Sequence, residues 1–265
     1  MGMSTAMPEK PLSSYIICTT PRSGSWMLCS ILAQTGIAGK PTEFFGPTLG
    51  EEFRSNQHVA HAGDVLGYLD RIIAPSTTPN GVFGMKLLAS QTEVFLRRAA
   101  EHKNVPFTSL QTALESEFPH LQYLWLTRQN KVAQAISFYR ALTTQTWVLR
   151  EGTVPAQTRP VAYDHFAIQR CYQDILLSDA YWAGYFRTHG ISPLVLTYEE
   201  LLAERESVIQ HALRYLGLPA DIRIPGPTTL KLAYEESLGW EEEFRRRGLP
   251  PDDSVVRQMN IWAPF

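Results

Sequence analysis

Arg22, Ser23, Gly24 and Ser25 stand directly after the strand-like run SYIICT (14–19) and directly before the helix-like segment WMLCSILAQTG. Strand, loop and helix in that order suit an anion. Backbone N–H groups at the head of the helix point outwards, and the helix dipole favours negative charge there. Arg22 adds a planar cationic fork, the two serines add hydroxyl donors, and Gly24 lets the backbone approach a ligand closely. A second pair with matching chemistry lies in LTRQNKVAQAISFYRA, where Arg128 ends another strand and Ser137 sits on the next helix. An arginine and a serine so placed can both reach one phosphate.

The anion is narrowed by what is missing. A Walker A loop reads G-x-x-x-x-G-K-[ST], with its lysine on the β/γ-phosphates and its hydroxyl on magnesium. Here the first glycine and the lysine are both absent, and the strand LQYLWLTR ends in Thr127–Arg128 where a Walker B strand ends in aspartate. The pattern suits a metal-free transfer in which arginines answer the charge of the donor. An ATP-dependent small-molecule kinase and a non-catalytic nucleotide-binding protein remain alternative readings.

Two further residues stand out. Lys86 interrupts the apolar run VFGMKLL, so it either snorkels at the strand end or faces a site. Glu43, in PTEFF, follows a proline and a threonine and precedes two phenylalanines. Apolar neighbours strengthen a carboxylate as a base, and Phe44 and Phe45 offer ring faces to a sugar; the same pattern also suits a surface glutamate in a turn. His58 and His61 form an H-x-x-H pair with no third ligand in view, so no metal site is expected.

These residues need elements to position them. Four apolar runs, 14–19, 81–87, 121–127 and 192–198, read as strands. Helical periodicity covers 25–36, 62–74, 90–102, 109–117, 130–150, 164–189 and 199–216, the sixth capped by Asp164 and stopped at His189–Gly190. The alternation predicts an α/β fold of three layers, with a mainly parallel central sheet flanked by helices.

The chain has 265 residues, 44% of them hydrophobic, enough for one sizeable core. A tail over 1–13 and a single domain over 14–265 are expected, with no clear further domain in 219–265. The formal net charge of −2 gives no global field for nucleic acid. Cys18, Cys29 and Cys171 form no C-x-x-C pair, which points to a reducing cytoplasm. The first fourteen residues lack an apolar signal core, and no run is long enough for stable membrane insertion.

Strand–TPRSGS–helix together with TR…AISFYRA resembles the sulfotransferases that use 3′-phosphoadenosine 5′-phosphosulfate (PAPS), which have a P-loop-like fold. GIAGKPTEFF, NGVFGMKLLASQT, QAISFYRALTTQTW and YFRTHGISPLVLTYEEL occur in the order of the trehalose 2-sulfotransferase family, over roughly residues 14–247. The resemblance implies donor contacts from Arg22, Ser23, Gly24 and Ser25, a 3′-phosphate held by Arg128 and Ser137, and Tyr198 near the adenine. It implies Glu43 as general base, Lys86 with Arg22 stabilising the transferring group, and a carbohydrate acceptor beside Pro21, Lys40, Thr42, Glu43, Phe45 and Trp147. A homodimer is implied too. Trehalose-sulfating members carry glutamine where this chain has Pro21 and glutamate where it has Lys40, so PAPS is implied more strongly than trehalose. Their cytosolic steroid- and phenol-sulfating cousins have a C-terminal donor motif for which RRRG (245–248) is either a substitute or a solvated basic turn.

Overall fold

Strand β1 (Ser13–Thr19) is buried from Ser14 to Thr19, and its alternate apolar residues serve two different cores. Ile16 and Cys18 face one side of the sheet; Tyr15 and Ile17 face the other. Such a strand must be covered on both faces. The computed structural model describes residues 10–46, 67–150, 160–230, 237 and 239–248. In it, β1 lies between β2 (Val82–Leu88) and β3 (Leu121–Thr127), all parallel. The two-residue strand β4 (Leu149–Arg150) comes next in the chain. After it, β5 (Leu194–Thr197) pairs parallel with β3, giving the order β2-β1-β3-β5. The last strand, β6 (Thr229–Leu230), pairs antiparallel with β4.

Helix α1 (Ser25–Gln34) follows β1, and helices α2 (Tyr68–Ser76), α3 (Thr92–Lys103) and α4 (Leu110–Glu117) come before β3. Next are α5 (Lys131–Thr144) and α6 (His165–Thr188), then α7 (Tyr198–Ala203), α8 (Arg205–Tyr215) and α9 (Trp240–Arg246). Residues of α3, α4 and the C-terminal half of α6 share one core with Phe83, Met85 and Leu87 of β2. Those of α1 and α8 share the other with Leu124 and Leu126 of β3. The α/β reading with a parallel sheet between helical layers therefore holds.

Elements differ from the expected ones where a local backbone feature intervenes. The helix expected over 130–150 stops at Thr144, because Gln145 turns left-handed at φ 56°. The segment 199–216 is two helices broken at Glu204. Helix α9 was not foreseen. It has three glutamates in its first turn and two arginines in its last, a charge order that favours a helix, and its Phe244 is buried against α5 and α6.

In this strand order the chain leaves β1 towards β2 and later returns to β1's other side as β3. Ligands of open parallel sheets bind beyond the strand C-termini at such a reversal. The loops after β1 and β3 hold Arg22 and Arg128. Among the described residues, no helix is long and apolar enough to cross a membrane. The three cysteines are buried and unpaired.

Candidate functional site

The loop after β1 is fastened from three sides. Thr19 Oγ1 donates to Leu126 O at 2.7 Å and lies 2.6 Å from Ser23 Oγ. Trp182 Nε1 of α6 donates to Thr19 O at 3.1 Å, and Gln134 Nε2 of α5 donates to Thr20 Oγ1 (2.8 Å) and Pro21 O (2.7 Å). Thr20 and Ser23 are fully buried as a result. Arg22 takes a left-handed backbone, φ 63°, a conformation that costs a non-glycine residue about 1–2 kcal/mol. Its side chain helps hold it there, with Nε donating to Ser137 Oγ at 3.0 Å and Nη1 to Trp147 O.

Gly24 is left-handed too, φ 84°, and a Cβ there would overlap the ring of Tyr198. Glycine is thus required twice at this position, by backbone and by neighbour. Helix α1 starts at the buried Ser25 with no side-chain cap and no acidic residue in its first turn. Its leading N–H groups suit an anion.

Arg128 closes the other side. Its Nη1 donates to Arg22 O at 3.3 Å, and its guanidinium lies 4.6 Å from the Tyr198 ring centroid. Nε is buried and has no hydrogen-bond partner among the described residues. Burial draws the Arg128 pKa below its ordinary value. A buried guanidinium with an unanswered N–H can hold a ligand oxygen, and a phosphate has the right chemistry for it.

Glu199, which sequence reasoning passed over, shapes that loop. Its carboxylate accepts from Gln129 N (2.9 Å) and Asn130 N (3.1 Å). Partial burial pushes its pKa up, but the backbone N–H groups and Arg128 outweigh this and hold the carboxyl below the usual range. The only sequence signal was an acidic residue in the first turn of α7, next to the Thr197–Glu200 capping box.

Glu43 and Lys86 meet at the outer edge of β2. The segment leading to Glu43 lies close against β2 because glycines permit it: Gly39 has φ 69°, and a Cβ there would lie 2.7 Å from Gly84 N. Gly84 in turn leaves room for Tyr15, whose hydroxyl donates to Ala38 O at 2.7 Å. Lys86 N donates to Thr42 O at 2.9 Å, and Glu43 and Lys86 form a parallel bridge. Their side chains then pair, Lys86 Nζ with Glu43 Oε2, at only 2% and 11% exposure. Lys86 Nζ also sits 4.1 Å from the ring centroid of Trp26 in the first turn of α1. Glu43 Oε1 accepts from Gln91 Nε2 at 2.6 Å. The apolar surroundings expected for Glu43 are therefore replaced by a cation and an amide.

Two of the residues expected beside the acceptor have other partners. Phe45 and its neighbour Phe44 are core residues, 6% and 4% exposed. Phe45 packs on Phe95 (centroids 5.4 Å apart) and Phe44 on Phe83 (6.2 Å), so their faces are spent on the core rather than offered to a sugar. Lys40 is exposed at the sheet edge, its Nζ donating to Pro75 O at 3.2 Å. Two residues, Pro41 and Thr42, separate it from Glu43, a reach of at most roughly 10 Å along the chain.

The other expected residues gather as two neighbouring groups. Arg22, Ser23, Gly24, Arg128, Ser137, Tyr198 and Trp147 form the first. Thr42, Glu43 and Lys86 form the second, joined to α1 through Trp26. Half-buried Pro21 is held by its carbonyl, and Trp147 packs on Phe138 at 6.1 Å. The arginines of RRRG are already engaged: Arg246 and Arg247 pair with Glu243, while Arg245 reaches Asn130 Oδ1 at 3.4 Å. His58 and His61 lie outside the described residues.

Comparison with known proteins identifies the family. A family model described as Stf0 sulphotransferase matches residues 14–247. The chain is 29% identical over 273 residues to a trehalose 2-sulfotransferase of Mycobacterium tuberculosis, covering 91% of this chain and 99% of that protein. It is 29% identical over 263 residues to a trehalose 2-sulfotransferase of Mycolicibacterium smegmatis, covering 91% and 97%. Among solved structures, a sulfotransferase from Alicyclobacillus acidocaldarius shares the fold, with a TM-score of 0.50 at 14% identity over 94% of each chain.

Proposed function

The chain belongs to the Stf0 sulphotransferase family, and from that premise we propose that it transfers a sulfuryl group from PAPS to a hydroxyl of a carbohydrate. Trehalose or a related glycoside is the acceptor we favour, since both curated relatives carry trehalose in their names. Family membership makes it an enzyme of sulfuryl transfer; donor, acceptor and residue roles are our reading.

Arg22 and the head of α1 hold the 5′-phosphosulfate in this account, and Arg128 with Ser137 holds the 3′-phosphate. The unpartnered Nε of Arg128 supports that assignment. Tyr198, lying on Gly24 and under Arg128, offers its ring beside the nucleotide.

The chemistry needs a base, an in-line acceptor and stabilised charge on the leaving phosphate. Glu43 takes the proton of the acceptor hydroxyl while its oxygen bonds to sulfur. The bond from sulfur to the bridging phosphate oxygen breaks, and that oxygen keeps the electron pair. Lys86 and Arg22 answer the charge that develops. The observation that carries this reading is the largely buried Glu43–Lys86 pair, tied through Trp26 to the helix that opens the anion loop. Of the two departures from trehalose-sulfating members, Lys40 is exposed and donates to Pro75 O, while Pro21 lies in the loop after β1. We further propose a homodimer working in the cytoplasm without a metal.

Calorimetric titration with 3′-phosphoadenosine 5′-phosphate, compared with ADP and ATP with and without Mg²⁺, tests the donor. Tight, magnesium-independent binding of the 3′-phosphorylated nucleotide is expected. Preference for ATP with magnesium would overturn the reading in favour of a kinase.

A further inference from the structure

We propose that Gln91 is the positioning residue of the Glu43 carboxylate and decides which of its oxygens is open to the acceptor hydroxyl; this rests on the reading of Glu43 as the base. Gln91 ends the short 3₁₀ turn Ala89–Gln91 between β2 and α3 and is 3% exposed. A buried amide must find partners for both ends, and here the two ends are not interchangeable. Gln91 Oε1 accepts from Leu88 N at 3.1 Å. A backbone N–H can only donate, so the amide oxygen must face Leu88 and the NH₂ must face the other way. There it meets Glu43 Oε1 at 2.6 Å.

Gly46 closes the same oxygen from a second direction. A Cβ at Gly46 would overlap Glu43 Oε1 and lie 3.3 Å from Gln91 Nε2. Oε1 is therefore fixed by an amide and covered by backbone. Oε2 is paired with Lys86 Nζ but has no backbone over it from Gly46, so its second lone pair is the one left to take the proton. The cation that meets the transferring group and the oxygen that accepts the proton then lie together. Neither Gln91 nor Gly46 needs to touch substrate for this.

The experiment compares wild type with Gln91→Met, Gly46→Ala and Glu43→Gln. It reads kcat and KM for transfer from PAPS to trehalose, together with the ¹³C chemical shift of the Glu43 carboxyl at one fixed pH, which needs no acceptor. Removing the Gln91 donor takes a hydrogen bond from Glu43 Oε1, so the Glu43 carboxyl ¹³C signal should move while those of the other carboxylates stay in place. Loss of alignment should lower kcat roughly 10- to 100-fold, with KM for PAPS little changed. Gly46→Ala should lower kcat similarly by pushing Oε1 aside. An unmoved Glu43 carboxyl signal in Gln91→Met would overturn the inference, as would unchanged kcat in both variants beside an inactive Glu43→Gln. Full activity of Glu43→Gln would instead sink the base reading on which it rests.

Discussion

Glu43 and Lys86 are joined twice, by a parallel bridge between their backbones and by an ion pair between their side chains. The backbone bridge fixes where the pair sits, and the side chains fix its charge. Removing one partner of a buried pair leaves the other uncompensated, at a cost of about 3–5 kcal/mol. Lys86→Met and Glu43→Gln should each lower stability in urea. The double variant should lose less than the sum, with a coupling of about 1–3 kcal/mol. An additive cycle would show that the pair does not act as a unit.

In the proposed account Arg128 grips the 3′-phosphate through a planar fork, which a lysine cannot reproduce. Arg128→Ala should weaken binding of 3′-phosphoadenosine 5′-phosphate at least about 10-fold, since charged hydrogen bonds contribute about 1.5–3 kcal/mol. Arg128→Lys should recover only part of that. ADP, which lacks the 3′-phosphate, should bind wild type and both variants alike, a contrast that calorimetry reads directly.

Gly24→Ala meets two penalties, a left-handed backbone and the Tyr198 ring. The backbone alone costs about 1–2 kcal/mol. Nucleotide affinity should fall in Gly24→Ala and recover partly when Tyr198→Ala is added, because the second change relieves the overlap and not the dihedral. Identical affinities in the single and double variants would deny the Gly24–Tyr198 contact.

Glu199 gives a pH dependence with a definite sign. Its folded value is depressed, so the folded protein holds this proton less readily than the unfolded chain. Its contribution is complete above the ordinary glutamate range and is lost as pH falls through the folded value. Urea midpoints of wild type and Glu199→Gln should therefore differ at pH 7 and converge in acid. Parallel curves down to acid pH would show that the bonds to Gln129 and Asn130 add nothing.

The sheet and the anion loop were legible because local signals there agree with the tertiary structure. Continuous apolar runs belong to strands covered on both faces, and TPRSGS sits where β1 meets α1. Lys86 was legible as an exception within such a run. Contacts between distant segments were not. Glu199 acts on a loop about seventy residues away, and the meeting of Gln91 with Glu43 depends on the 39–43 segment lying along β2. Phe44 and Phe45 misled because an aromatic pair beside a carboxylate looks the same whether its rings line a pocket or fill a core. The place of Lys40 was not legible either: Gly39 fits tightly against β2, whereas the lysine turns out to the end of α2.

The most direct test of the account is transfer of labelled sulfuryl from PAPS to trehalose by wild type and Glu43→Gln, with donor binding measured on the same preparations. The account predicts transfer by wild type, and in Glu43→Gln retained nucleotide binding with turnover about 10²- to 10⁴-fold slower. Glu43→Gln working at the wild-type rate would contradict it.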